Sequence, residues 1–139
     1  LFFGAISGFW MINIVLLAVI LGFGGNWLYY WLRAKQLKAG LSEADFESTM
    51  RKAQLIDLRE KKDFDAGHIL GARSLPYTTL KQRIGELRKD LPVYVYDDGQ
   101  NISIRATLKL RKAGFEKVNW LNDGYRSWQG KTKKKKSNY

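Results

Sequence analysis

The sequence predicts an α/β domain with a central, mainly parallel sheet flanked by helices, preceded by one N-terminal transmembrane helix. Short β-rich runs, LIDL, PVYVY and VNWL, alternate with stretches of helical periodicity. The first 32 residues carry no charge. Once that segment is set apart, what remains of the 139 residues suffices for one small domain.

Residues 11–32, MINIVLLAVILGFGGNWLYYWL, supply about twenty mostly apolar positions, the length that crosses a hydrocarbon layer of roughly 30 Å. A cleaved signal would show a basic start, a shorter apolar core and a small-residue cleavage site. Here Trp27, Tyr29, Tyr30 and Trp31 suit an interfacial belt. Arg33, Lys35 and Lys38 follow at once, so the positive-inside rule places the carboxyl side in the cytoplasm, as a single-pass protein of the cell membrane. Residues 1–10 lengthen the apolar segment beyond one span, and Met11 is a candidate natural start. Gly4 with Gly8, and Ala18, Gly22 and Asn26 with Gly25 beside them, offer a small-residue face for another membrane helix, a pattern also common in unpaired helices.

A basic linker, 33–40, leads into a domain spanning 41–130. LSEADFESTM predicts a short helix with Ser42 as N-cap and Asp45 as its capping-box partner. Residues 55–58 form a short apolar strand, and turn signals follow at Gly67, Gly71 and Pro76. Leu80, Ile84 and Leu87 recur at helical spacing, predicting a helix from Thr78 or Thr79 to Lys89. PVYVY is the next strand. A helix over 103–112 follows, closed by Gly114, and VNWL is the last strand, before a turn and a helical piece.

The formal charge of +11 suggests nucleic acid until it is located. Arg33, Lys35 and Lys38 carry three of these charges and Lys131, Lys133, Lys134, Lys135 and Lys136 five, leaving a mildly basic middle. Beside a membrane anchor, the polybasic tail 131–139 reads either as a lipid-headgroup contact, at about 1 kcal/mol per lysine, or as a solvated tail. Nucleic acid is not an expected partner. The absence of cysteine excludes disulfides, thiolate metal sites and a thiol nucleophile in this chain, and the single histidine, His68, excludes multi-histidine sites. No cofactor and no metal are expected.

In IDLREKKDFDAGHILGARSLP, Asp57 and Arg59 sit at a strand end where carboxylate and guanidinium can pair and order the turn. Gly67 and Gly71 permit backbone conformations that side chains obstruct. His68 reads as a base, a pH switch or, preferred, a structural hydrogen-bonding group, because no nucleophile partners it. The spacing of Asp57, Arg59, Asp63, Phe64, Gly67, His68, Ile69, Gly71 and Ala72 resembles the rhodanese-like family, and the resemblance continues through PVYVY, RATLKLRKAGF and VNWLNDGYRSW, covering residues 41–130. The type it resembles is bacterial and membrane-anchored.

In active members the strand matching PVYVY ends in a cysteine whose loop wraps the sulfur and runs into a helix. By that resemblance the cysteine position falls on Asp97, and the loop is Asp97, Asp98, Gly99, Gln100, Asn101 and Ile102. A carboxylate cannot form a persulfide, and Asp97 and Asp98 place negative charge where an anionic sulfur donor approaches. Asp97 reads preferentially as an acceptor of loop N–H groups at a helix mouth, with a phosphoryl nucleophile or cation ligand as the sharper alternative. The expected function is a binding or scaffolding module on the cytoplasmic face of the membrane, without sulfurtransferase activity. The alternatives are a non-thiol enzyme acting through Asp97 or a relative whose activity needs a partner's thiol.

Overall fold

A computed structural model describes residues 2–135. Leu1 of the apolar segment and Lys136 of the basic cluster lie outside the described residues. The chain divides into an apolar helix and a domain that begins at Lys38.

The helix, α1 (Phe2–Leu37), includes a 30-residue stretch, Gly8–Leu37, long and apolar enough to cross a membrane by length and composition. Side chains such as Ile12, Leu16, Val19 and Phe23 are exposed along it. Near its end, Trp27 and Trp31 stack with ring centroids 6.0 Å apart, and the Lys35 ammonium lies 3.8 Å over Trp31. The basic residues 33–37, which the sequence assigns to a linker, continue this helix. Lys38 stops it at φ +50°, the left-handed turn that commonly terminates helices.

In the domain, β1 (Gly40–Leu41) leads to α2 (Glu43–Thr49), whose N-cap is Ser42: its hydroxyl accepts the Asp45 N–H at 3.3 Å. Then come β2 (Gln54–Asp57), α3 (Lys61–Ala66), β3 (His68–Ile69) and β4 (Arg73–Ser74). They are followed by α4 (Leu80–Arg83), β5 (Val93–Tyr96), α5 (Asn101–Lys112), β6 (Val118–Leu121) and β7 (Thr132–Lys133). Five strands form an all-parallel sheet in the order β1-β6-β5-β2-β4, so β5 runs through the middle.

All four β5 residues are buried, as expected of a parallel strand covered on both faces. Alternation sends Tyr94 and Tyr96 into a cluster with Phe46, Leu55, Ile69, Leu121 and Trp128. Val93 and Val95 serve the opposite face, and α5 packs on β5 and β6. The register sets Asp57 beside Tyr96 at the carboxyl ends of β2 and β5, which positions the site below.

Two further expectations change. The helix predicted to run to Lys89 is a 3₁₀ turn (Tyr77–Thr79), α4 and a second 3₁₀ turn (Ile84–Glu86). Leu87 leaves it in an extended conformation and is buried, so core packing outweighs continued helix. The basic tail is partly built into the domain. Thr132 and Lys133 pair antiparallel with Ile69 and His68, and the Lys135 N–H donates to the Asp65 carbonyl at 2.9 Å. A strand partner distant in sequence fixes a segment that composition alone assigns to solvent.

Candidate functional site

The site is the loop between β5 and α5, at the carboxyl edge of the sheet, where open α/β sheets carry their ligands. Asp97 continues the line of β5 and is only 5% exposed. Its carboxylate turns inward: one oxygen accepts the Ser103 hydroxyl at 2.5 Å and the other the Ile102 N–H at 3.4 Å. The Asp97 backbone carbonyl accepts the Tyr125 N–H at 2.8 Å. Helix α5 therefore starts at Asn101, two residues before the predicted start, and its first turn closes around the chain's own carboxyl group.

Burial pushes the Asp97 carboxyl above the ordinary carboxylate range, and the Ser103 hydroxyl with the N–H groups of Ile102, Ser103 and Gly99 only partly oppose this. A carboxyl with a raised folded-state pKa binds its proton more tightly folded than unfolded. Its contribution to stability is full below the ordinary carboxylate pKa and is lost as pH rises through the raised value. Chemical denaturation of the chain over that window should show stability falling with pH, and Asp97→Asn should remove that part of the slope. An unchanged slope in the variant would assign it to another group.

Asp98, next in the loop, exposes 53% of its side chain and lies 3.5 Å from the Arg59 guanidinium. Arg59 is the hub beneath the loop. It donates to Asp57 through Nε at 3.1 Å and Nη2 at 2.8 Å, and to the Gly67 carbonyl at 2.6 Å. It also lies 4.1 Å over the Tyr125 ring. Burial alone would lower its pKa, but the hydrogen bond and charge of Asp57, with Tyr96 and Asp98 adding to them, hold it above its usual value. Tyr96 donates to Asp57 at 2.7 Å and accepts the Ile69 N–H at 3.1 Å. Burial, then the Asp57 charge, raises this phenol well above its ordinary range, so it remains a donor.

The GHILGA turn is tied in by the same network. A Cβ on Gly67 would stand 2.7 Å from the Tyr125 hydroxyl, so the glycine makes room for that ring. Gly71 turns the chain at φ +92° between β3 and β4. His68 Nδ1 lies 2.7 Å from the Phe64 carbonyl, which only accepts, so this nitrogen carries the proton. Its ring stacks on Phe64 at 3.7 Å, an arrangement that locks β3 to α3.

On the far side, Gly124 at φ +71° approaches so closely that a Cβ there would overlap the Asp98 and Gly99 carbonyl oxygens. Arg126 donates its N–H to the Asp98 carbonyl at 3.3 Å. The loop is thus clamped from both sides. Among the described residues no group of three or more carboxylates and imidazoles gathers to hold a metal. Gln100 and Asn101 are exposed at the helix start, and so is Ile102, at 39%.

Sequence reasoning missed Tyr96, Ser103, Tyr125 and Gly124 as parts of this site. Strand alternation could have marked Tyr96, which shares the Asp57 row, and Ser103 follows the loop directly, but Gly124 and Tyr125 reach it from a turn distant in sequence. The basic residues divide between units: Arg33 and Lys35 belong to α1, Lys38 starts the domain, Lys133 lies in β7, and Lys134 and Lys135 follow it.

The sequence model of the rhodanese-like domain matches residues 34–131. The chain is 40% identical over 126 residues to the uncharacterised protein YqhL of Bacillus subtilis, which covers 91% of this chain and 100% of YqhL. It is 33% identical over 75 residues to the thiosulfate sulfurtransferase GlpE of Tolumonas auensis, covering 54% of this chain and 71% of GlpE. The fold is similar to the crystal structure of the Alr3790 protein from Anabaena sp., with a TM-score of 0.63 and 29% identity, over 68% of this chain and 80% of that one.

Proposed function

This chain belongs to the rhodanese-like domain family, and from that premise we propose that it is a membrane-anchored binding and scaffolding module without sulfurtransferase activity of its own. The observation that carries the reading is the Asp97 carboxyl, turned inward and held by Ser103 and Ile102 in a chain with no cysteine, at the position where the resemblance implies the sulfur-carrying cysteine. Sulfur transfer needs a thiolate that attacks a sulfane sulfur, and a carboxyl cannot take that role. Both carboxyl oxygens of Asp97 are engaged, by Ser103 and Ile102, which argues against it as a phosphoryl nucleophile.

What the loop retains is a rigid outer surface of Asp98, Gln100, Asn101 and Ile102, suited to contact a protein partner. Anchoring is supported by α1, whose stretch Gly8–Leu37 is long and apolar enough to cross a membrane and exposes its apolar side chains. Arg33, Lys35 and Lys38 at its end, and Lys133, Lys134, Lys135 and Lys136 near the carboxyl end, supply charge for anionic headgroups. The small-residue face of α1 is a candidate contact for another membrane protein.

The full chain, reconstituted in nanodiscs, is expected to yield no thiocyanate from thiosulfate and cyanide and to form no persulfide. Clear turnover would overturn the reading. The cytoplasmic orientation has its own check, since the chain lacks cysteine. Gln82→Cys in the exposed part of α4 should react with a membrane-impermeant maleimide only after cells are permeabilised. Labelling of intact cells would reverse the orientation.

A further inference from the structure

Helices α4 and α5 leave between them a groove of about 410 Å³ lined by Leu80, Lys81, Ile84, Lys109, Lys112 and Ala113. It lies at the carboxyl end of α5, whereas the Asp97 loop caps its amino end, about 18 Å away for 12 residues at 1.5 Å each. The floor is apolar: Leu80 is fully buried, Ile84 and Ala113 half-buried. The rim carries three exposed lysines and no acid.

None of these lysines forms an ion pair among the described residues. Helix α5, NISIRATLKLRK, contains no acidic residue. The one carboxylate between residues 80 and 86, Glu86, is taken by Arg73 at 2.5 Å and Arg83 at 2.7 Å. Lys109 is placed over the Tyr77 ring, 4.4 Å from its centroid. Lysines in the last turn of α5 also complement its dipole. That accounts for Lys109 and Lys112, but not for Lys81, which joins them from another helix. Three like charges around an apolar floor repel one another, and a bound anion relieves this while the lysine stems and Ile84 cover an apolar body.

We propose that this groove is a binding site for a small anionic amphiphile, a single anionic head on a compact apolar body. The head sits between Lys109, Lys112 and Lys81, and the body lies on Ile84, Leu80 and Ala113. A free small molecule fits better than a partner helix, because the volume lies within the range of about 300–1,000 Å³ usual for such ligands and the lining spans one turn of each helix.

The test titrates naphthalenesulfonate into the full chain in phosphatidylcholine nanodiscs, following the methyl NMR signals of Ala113 and Ile84. Saturable shifts of both are expected, with neither inorganic sulfate nor neutral naphthalenemethanol reproducing them. Replacing both α5 lysines, Lys109→Gln with Lys112→Gln, should weaken binding about tenfold, the combined effect of two exposed charge contacts. Arg88→Gln, in an exposed pair outside the groove, should leave affinity unchanged. Equal binding of the neutral analogue, saturation by sulfate alone, or full affinity in the double variant would overturn the proposal. So would shifts seen only in phosphatidylglycerol nanodiscs, which would assign the groove to a lipid surface.

Discussion

Replacing Asp97 with cysteine is expected to give the chain a thiol that takes sulfur from thiosulfate. The substituted side chain would lie where the Asp97 carboxyl accepts the Ser103 hydroxyl and the Ile102 N–H, at the mouth of the 12-residue helix α5. Amide donors and a helix N-terminus favour the thiolate. The thiolate attacks the outer sulfur, the sulfur–sulfur bond of thiosulfate breaks, and sulfite leaves with the electron pair. Cyanide then removes the outer sulfur as thiocyanate and restores the thiolate. A cysteine at exposed Asp123 provides the comparison, because it lacks the loop donors. Preorganised donors of this type contribute about 10²–10³-fold, so persulfide formation should be faster at residue 97 than at residue 123 by about that factor. Asp98 opposes the incoming anion, and Asp97→Cys combined with Asp98→Asn should be faster again. The measurement is persulfide mass and thiocyanate release on the folded variants. Equal, slow reaction at both positions would show that Asp97 does not occupy the place of the nucleophile.

Asp57→Ala is expected to be the most destabilising single change in the domain. Asp57 is fully buried and Arg59 8% exposed, and the substitution leaves that guanidinium without its main carboxylate. It also removes the acceptor of the Tyr96 hydroxyl. Breaking a buried ion pair from one side typically costs about 3–5 kcal/mol. For a domain of this size that lowers the thermal midpoint by at least about 12 °C. Arg88→Ala, which breaks a solvent-exposed pair with Asp90, should change stability far less. Denaturant titration of both variants decides the matter, and a loss at Asp57 as small as that at Arg88 would show that the network is peripheral. Arg59 also reaches Gly67, Tyr125 and Asp98, so Asp57→Ala should move amide signals around residues 97–99 as well.

These predictions draw on information of different kinds. The Asp57–Arg59 pair and the glycines of the GHILGA turn are local, and close spacing in sequence makes them legible. The run VYVY reveals its strand because burial on both faces demands continuous apolar and aromatic residues, and VNWL does so with one half-buried interruption at Asn119. In contrast, β1, β3, β4 and β7 are two residues long and have no period to read. They exist because a partner strand supplies hydrogen bonds from far along the chain, as β3 does for the basic segment at Thr132 and Lys133. The α4 segment shows the reverse case, where helical spacing is real but Leu87 turns away to reach the core.

By itself the sequence determined the fold class, the apolar helix and the absence of any thiol, since each depends on residue type and local order. The tertiary structure decided which groups engage Asp97. Its carboxyl is turned inward by Ser103, its loop is clamped by Gly124 and Tyr125, and its proton affinity is raised by burial. The convergence of Lys81 with Lys109 and Lys112 likewise belongs to packing. The physical reason is the same in both cases: desolvation and charge proximity depend on distances through space, which residues far apart in the chain acquire only when the sheet and its helices close.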